Sequence, residues 1–167
     1  ERAYSRIDRI KVRGLKEVFA TEILAADYTR QDATLLLPIW AGIPDAARAR
    51  RLVQETVLDP QRYWRLCGIP MCSAADPAYR ADGRDGSGGV FMVWNAMLAE
   101  GLVRYGYRRE AAELFQRMMQ GPLAALRADG AFRECYNADV PEGIGERNHV
   151  TGLPPLSTFL QGLGIRL

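Results

Sequence analysis

Residues 90–126, VFMVWNAMLAEGLVRYGYRREAAELFQRMMQGPLAAL, decide the fold class. Phe91, Val93, Trp94, Met97, Leu98, Leu102 and Val103 recur at the three- and four-residue spacing of a buried helix, which Tyr105-Gly106-Tyr107 ends. A second helix is expected from about Arg109 to Leu126 through Ala111, Leu114, Phe115 and Met118, with a kink or break at Gly121-Pro122. Helix, short turn, helix is the unit of an antiparallel hairpin.

Upstream, Gln31 to Ala41 is apolar almost all round (Leu35, Leu36, Leu37, Ile39, Trp40), as for a helix enclosed by neighbours, with Pro38 a possible kink. Gly42-Ile43-Pro44-Asp45 reads as a turn, and Asp45 is placed to cap a helix from Ala46 to Leu58. Leu15, Val18, Phe19 and Ile23 predict an amphipathic helix over Gly14 to Asp27; Ile7 to Val12 fits a short strand or a helical entry equally well. A last short helix is expected over Leu156 to Leu163, after Pro154-Pro155. Asp59 to Gly89 is a long Gly-, Pro-, Asp- and Ser-rich segment with one possible short helix at Pro60 to Arg65, and Asp129 to Asn148 is a second irregular stretch. Helices alternating with long loops imply hairpins packed side by side, as in solenoids and helical toroids. The expected fold is all-α. Five or six helices cannot close a toroid of twelve, so on that reading the chain is one domain that forms part of a larger barrel.

Composition narrows the function. With 167 residues, 48% hydrophobic and 25% charged, the chain has the make-up of an ordinary folded domain. A net charge of +2 from 22 basic and 20 acidic side chains offers no field for a polyanion, so nucleic acid is not an expected partner. Arg48, Arg50 and Arg51 read as the solvated face of a helix. Three cysteines (Cys67, Cys72, Cys135) without paired spacing and one histidine, His149, point away from a metal site or a Cys-His catalytic pair. No metal or cofactor is expected. No apolar run approaches the roughly 20 residues that cross a bilayer, and Glu1-Arg2-Ala3-Tyr4 does not resemble a signal peptide, so a reducing, cytoplasmic setting without membrane contact is expected.

The chemistry-bearing segment is Gly130-Ala131-Phe132-Arg133-Glu134-Cys135-Tyr136-Asn137, followed by Glu142-Gly143-Ile144-Gly145-Glu146. It resembles the Phe-x-Glu-x-Tyr then Gly-x-Gly pattern near the end of the catalytic domain of six-hairpin, (α/α)6-toroid glycosidases: glycoside hydrolase family 63, the trehalases of family 37 and debranching-type relatives. Residues 89–107, Leu35-Leu36-Leu37-Pro38-Ile39-Trp40-Ala41-Gly42-Ile43 and Gly68-Ile69-Pro70 extend the likeness over most of the chain. The resemblance implies that this is the C-terminal part of the catalytic domain of an inverting glycoside hydrolase acting on a glucoside or mannoside. Glu134 matches the general base, with Glu146 the fallback, and Asn95 falls in the matching helix as a substrate contact. Such enzymes set the acid and base carboxylates about 6.5–9.5 Å apart, with water between base and anomeric carbon.

The chain departs from the pattern in three ways. Gly86-Ser87-Gly88-Gly89-Val90-Phe91 stands where a Trp-Arg-Gly-Pro-(Ile/Val)-Trp run is common. Asn148 to Leu153 replaces an aromatic residue, and the family's catalytic aspartate has no matching motif, so the chain carries the base half of the site. Tyr136 is placed to bond a sugar or to hold the carboxylate. Trp64, beside Tyr63 and near the long loop, is the sugar-stacking candidate, while Trp40 and Trp94 fall in apolar helical patterns and are expected in the core. The bland alternative makes Glu134 an exposed loop acid and Phe132 and Tyr136 core anchors. Asp76, Asp82 and Asp85 lack EF-hand spacing and read as a solvated loop, and Gly86 to Gly89 lacks the strand and lysine of a nucleotide loop. Expected partners are a carbohydrate and either the remainder of the toroid or a second copy of the chain. The competing reading is a non-catalytic helical interaction module derived from the same fold.

Overall fold

The computed structural model describes Gly14, residues 29–155, Ser157 and Leu160. The chain divides into two compact units, Glu1–Arg30 and Gln31–Leu167, and the described architecture belongs to the second. The helix expected over Gly14 to Asp27 and the strand or helical entry at Ile7 to Val12 lie outside the described residues. So does the helix expected over Leu156 to Leu163, apart from Ser157 and Leu160, which are helical.

Asp32 accepts from the Thr34 amide and starts a 3-10 turn, Ala33–Leu36, which passes into α1, Leu37–Ala41. Pro38 sits in the first turn of α1, where a missing N–H costs nothing, so it starts the helix rather than kinking it. Asp45 caps α2, Ala46–Leu52, by accepting from the Arg48 amide at 2.8 Å. The last turn of the expected Ala46–Leu58 helix widens into a π-helical segment, Val53–Val57, in which the Leu58 amide reaches back to the Val53 carbonyl. Val53 and Val57 both face the core. Arg48, Arg50 and Arg51 are exposed along α2.

The central hairpin is α3, Met92–Arg104, followed by α4, Arg108–Asp129, with α1 packed on α3. The buried side of α3 is Met92, Asn95, Ala96, Leu98, Ala99, Gly101 and Leu102, whereas Val93 is exposed. A helix that is apolar on several sides has its buried face chosen by its neighbours. Trp40, expected in the core, is 38% exposed and donates its indole N–H to Glu100, because short α1 buries only the side that meets α3. α4 runs on through Gly121-Pro122 without a break and ends at Gly130, whose left-handed backbone lets its N–H bond Leu126. Both residues of the pair are buried; a Cβ on Gly121 would lie 2.6 Å from the Tyr136 side chain, so this glycine is where α4 receives the strand beyond it.

The all-α expectation needs one correction. Residues 133–147 form an antiparallel hairpin of β1, Arg133–Tyr136, and β2, Gly143–Arg147. Its pairing rests on backbone register and on the contact of both strands with α4, neither of which hydrophobic periodicity reports. The remainder is mostly helical, around a core that includes Leu36, Ile39, Val53, Tyr63, Ile69, Leu98, Leu114 and Tyr136. No helix among the described residues is long and apolar enough to cross a membrane.

Candidate active site

Glu134 stands on β1 between Arg133 and the buried pair Cys135 and Tyr136. Arg133 pairs with Arg147 and Cys135 with Ile144, so one residue of β1, Glu134, faces two of β2, Gly145 and Glu146. This is a β-bulge, a device that re-aims a side chain. Gly145 holds the bulge at φ +79°, and a Cβ there would lie 2.9 Å from the Glu134 Cβ and collide with its Oε2. A Cβ on Gly143 would collide with the Arg133 side chain and come within 3.0 Å of Ala125. The two glycines of the Gly-x-Gly element thus make room for β1 side chains, and the motif is a shape requirement of the strand that bears the glutamate.

Both flanks of β1 are fastened. The Val90 amide donates to the Tyr136 carbonyl at 2.7 Å and the Tyr136 amide to the Val90 carbonyl at 3.0 Å. β2 lies along one edge, and the strap Asn148–Leu153 adds further bonds to the strand. The Asn148 amide donates to Phe132, and the Thr151 hydroxyl to the Glu134 carbonyl at 2.9 Å. Burial pushes the Cys135 thiol beside Glu134 up to about 11.

The Glu134 carboxylate is largely enclosed, with 20% of its side chain exposed, and Arg84 Nη2 donates to its Oε2 at 2.6 Å. Arg84 is half exposed, so the pair adds at most about 1 kcal/mol to folding. Among the described residues, no hydrogen bond reaches Oε1. Glu146 and Glu142 are exposed. Arg84 was missed in the sequence; the one available signal was a basic residue inside the Gly/Asp-rich segment before Val90.

Three expected substrate contacts are structural. Tyr136 is fully buried, and its hydroxyl donates to the Gly152 carbonyl at 2.9 Å and accepts from the Arg133 amide at 3.2 Å. It anchors the core, as the bland alternative had it. Asn95 is fully buried on α3; its Oδ1 accepts from the Ile69 amide at 2.7 Å and its Nδ2 donates to the Ile69 and Phe91 carbonyls, which uses the amide up in pinning the Gly68-Ile69-Pro70 turn. Trp64 is 8% exposed, its N–H donates to Glu113, and Arg117 lies over its ring at 5.1 Å. No ring face is left for a sugar. Arg117 donates to the same carboxylate and holds Glu113 below the usual carboxylate range. Of the loop aspartates, Asp76 accepts from the Gln31 and Ala78 amides and Asp85 from Ser87 and Arg80.

Comparison with known proteins places the chain in a family. Residues 17–150 match the family model described as the mannosylglycerate hydrolase MGH1-like glycoside hydrolase domain. The chain is 34% identical over 98 residues to a mannosylglycerate hydrolase of Selaginella moellendorffii, covering 58% of this chain and 18% of that protein. It is 33% identical over 109 residues to the mannosylglycerate hydrolase of Thermus thermophilus, covering 65% of this chain and 24% of the relative. The crystal structure of a family 63 mannosylglycerate hydrolase from Thermus thermophilus in complex with Tris superposes with a TM-score of 0.59 at 26% identity, over 81% of this chain and 30% of that one. The chain therefore spans about a quarter of the length of the relatives it matches. With the likeness extending through the bulged hairpin that carries Glu134, and the fold that of the six-hairpin glycosidases, the chain belongs to the MGH1-like glycoside hydrolase family.

Proposed function

We propose that this chain is the C-terminal portion of an (α/α)6-toroid catalytic domain that hydrolyses a glycoside with inversion, and that Glu134 is its general base. The observation that carries the reading is the bulge at Glu134, where a carboxylate is held on a fastened strand with Oε2 bonded to Arg84 and, among the described residues, no hydrogen bond to Oε1. In the reaction, Glu134 takes a proton from water as the water oxygen bonds the anomeric carbon. The glycosidic bond breaks with its electron pair passing to the leaving oxygen, which a carboxylic acid from outside this chain protonates. The names of the relatives favour a mannoside of glycerate as substrate. Glu146, exposed beyond the bulge, is the weaker candidate for the base.

The test is the turnover and affinity of the intact gene product that contains this chain, on mannosylglycerate, with Glu134→Gln, Glu142→Gln and Glu146→Gln. Loss of a positioned base costs roughly 10²–10⁴-fold in rate, so Glu134→Gln lowers kcat by that factor with little change in binding, and the other two do much less. Near-normal turnover by Glu134→Gln removes the assignment. The 167-residue chain alone is expected to show no hydrolysis.

A non-catalytic helical module remains the second reading, favoured by the burial of Tyr136, Asn95 and Trp64 among the chain's own groups. An intact product that binds no carbohydrate and turns none over would support it.

A further inference from the structure

The segment from Arg80 to Gly89 looks like an unstructured Gly/Asp loop in sequence, yet its backbone is tied to itself at several points. The Arg80 amide donates to the Ser87 carbonyl at 2.9 Å, the Gly83 amide to the Arg80 carbonyl at 2.9 Å, and the Gly89 amide to the Gly83 carbonyl at 2.8 Å. The Asp85 carboxylate accepts from the Ser87 amide, from the Ser87 hydroxyl at 2.6 Å and from Arg80 Nη2 at 3.1 Å. A Cβ on Gly88 would collide with the Arg80 carbonyl, so the loop closes on itself only with glycine there. Beyond it, the Val90–Tyr136 bridge ties the end of the loop to the strand of Glu134.

A loop built this way presents its tip in one place, and the tip is Arg84. Its Nη2 meets Glu134 Oε2 at 2.6 Å, and its Nε lies 3.0 Å from where a Cβ on Gly145 would stand. Because Arg84 is half exposed and the pair adds little to folding, its consequence is geometric. A carboxylate turning about its last bond presents either oxygen to a water; one held at Oε2 presents Oε1.

We infer that Arg84 is a positioning residue of the hydrolytic site, clamping Oε2 of Glu134 so that Oε1 is the oxygen that takes the water proton. The inference rests on Glu134 being the general base. Arg84 touches neither water nor sugar in this role and neither gains nor loses a proton.

The experiment has an arm in the intact gene product and an arm in the 167-residue chain. In the intact product, misplacing the base by about 1 Å is worth up to about 100-fold, so Arg84→Ala lowers kcat by about 10–100-fold with KM nearly unchanged. Arg84→Lys retains more turnover than Arg84→Ala. Added guanidinium ion restores part of the rate of Arg84→Ala, and tetramethylammonium does not; a merely structural arginine would not respond in this way. Normal turnover by Arg84→Ala beside an inactive Glu134→Gln overturns the inference and leaves the base assignment standing. Normal turnover by Glu134→Gln overturns the base assignment itself. In the 167-residue chain, nitrogen-15 spectra of the arginine side chains read the clamp without any activity. The Arg84 guanidinium rotates slowly, and Glu134→Gln releases it. A freely rotating Arg84 in the unaltered chain overturns the clamp whatever the kinetics show.

Discussion

At Gly145 the backbone sits at φ +79°, and the Glu134 side chain fills the place a Cβ would take. Alanine there meets both a left-handed strain and a clash with the Glu134 Cβ at 2.9 Å, whose relief moves the carboxylate off Arg84. Gly145→Ala is expected to cost about 1–3 kcal/mol in urea unfolding and to lower kcat in the intact product. Unchanged stability would show that the bulge is not as tight as described. At this scale sequence and structure divide by range. Glu134 is legible because its motif is local, running from Phe132 to Gly145, whereas its partner Arg84 is 50 residues away and no periodic signal reports a pairing over that distance. The burial of Tyr136, Asn95 and Trp64, expected as substrate contacts, has a related cause. Each carries both an apolar body and a polar atom, and whether the polar atom serves a sugar or the chain's own backbone depends on what folds over it. Here the partners are the Gly152 carbonyl, the Ile69 backbone and the Glu113 carboxylate.

Among the elements, the Arg80–Gly89 loop carries a pH signature. Hydrogen bonds from the Ser87 hydroxyl and amide, with Arg80 beside them, hold the Asp85 carboxyl down to about 2. An unfolded chain titrates this group near its ordinary value of about 4, so the folded loop favours the ionised form. Its contribution is present above about pH 4 and is lost as pH falls from about 4 through about 2. Asp85→Asn is expected to flatten the fall of the urea midpoint over that window while leaving the slope above pH 5 unchanged, and identical pH profiles for the two proteins would refute the loop's dependence on this carboxylate. The helices were legible where a cap and a stripe coincide, as at Asp45 before Ala46–Leu52, or where two stripes flank a turn, as in Met92–Arg104 and Arg108–Asp129. Gly121-Pro122 was read as a break because proline forfeits one helical hydrogen bond. The helix continues with both residues buried and Gly121 packed against Tyr136, and that packing outweighs the lost bond.

For the whole molecule, the exposed apolar side chains matter most. Leu35, Trp40, Val93, Leu123 and Leu126 are each more than a third exposed, on the 3-10 turn before α1 and on α1, α3 and α4. If the remainder of a toroid covers these helices in the intact product, the 167-residue chain alone self-associates or binds a hydrophobic dye at micromolar concentration and the intact product does not. A strictly monomeric chain that binds no dye counts against the fragment reading. Far-ultraviolet circular dichroism of the same chain is expected to be dominated by helix. What the sequence determined alone are the features set by neighbours along the chain: the helical class, the cap at Asp45, and the glutamate between Phe132 and the Gly-x-Gly element. Tertiary structure alone decided which face of an all-round apolar helix is buried, that residues 133–147 pair as a bulged hairpin, and that Arg84 meets Glu134. The physical reason is that periodicity and capping are local sums over a few residues, whereas burial, register and ion pairing depend on which distant surface arrives, and α4 with the Arg80–Gly89 loop supplies that surface here.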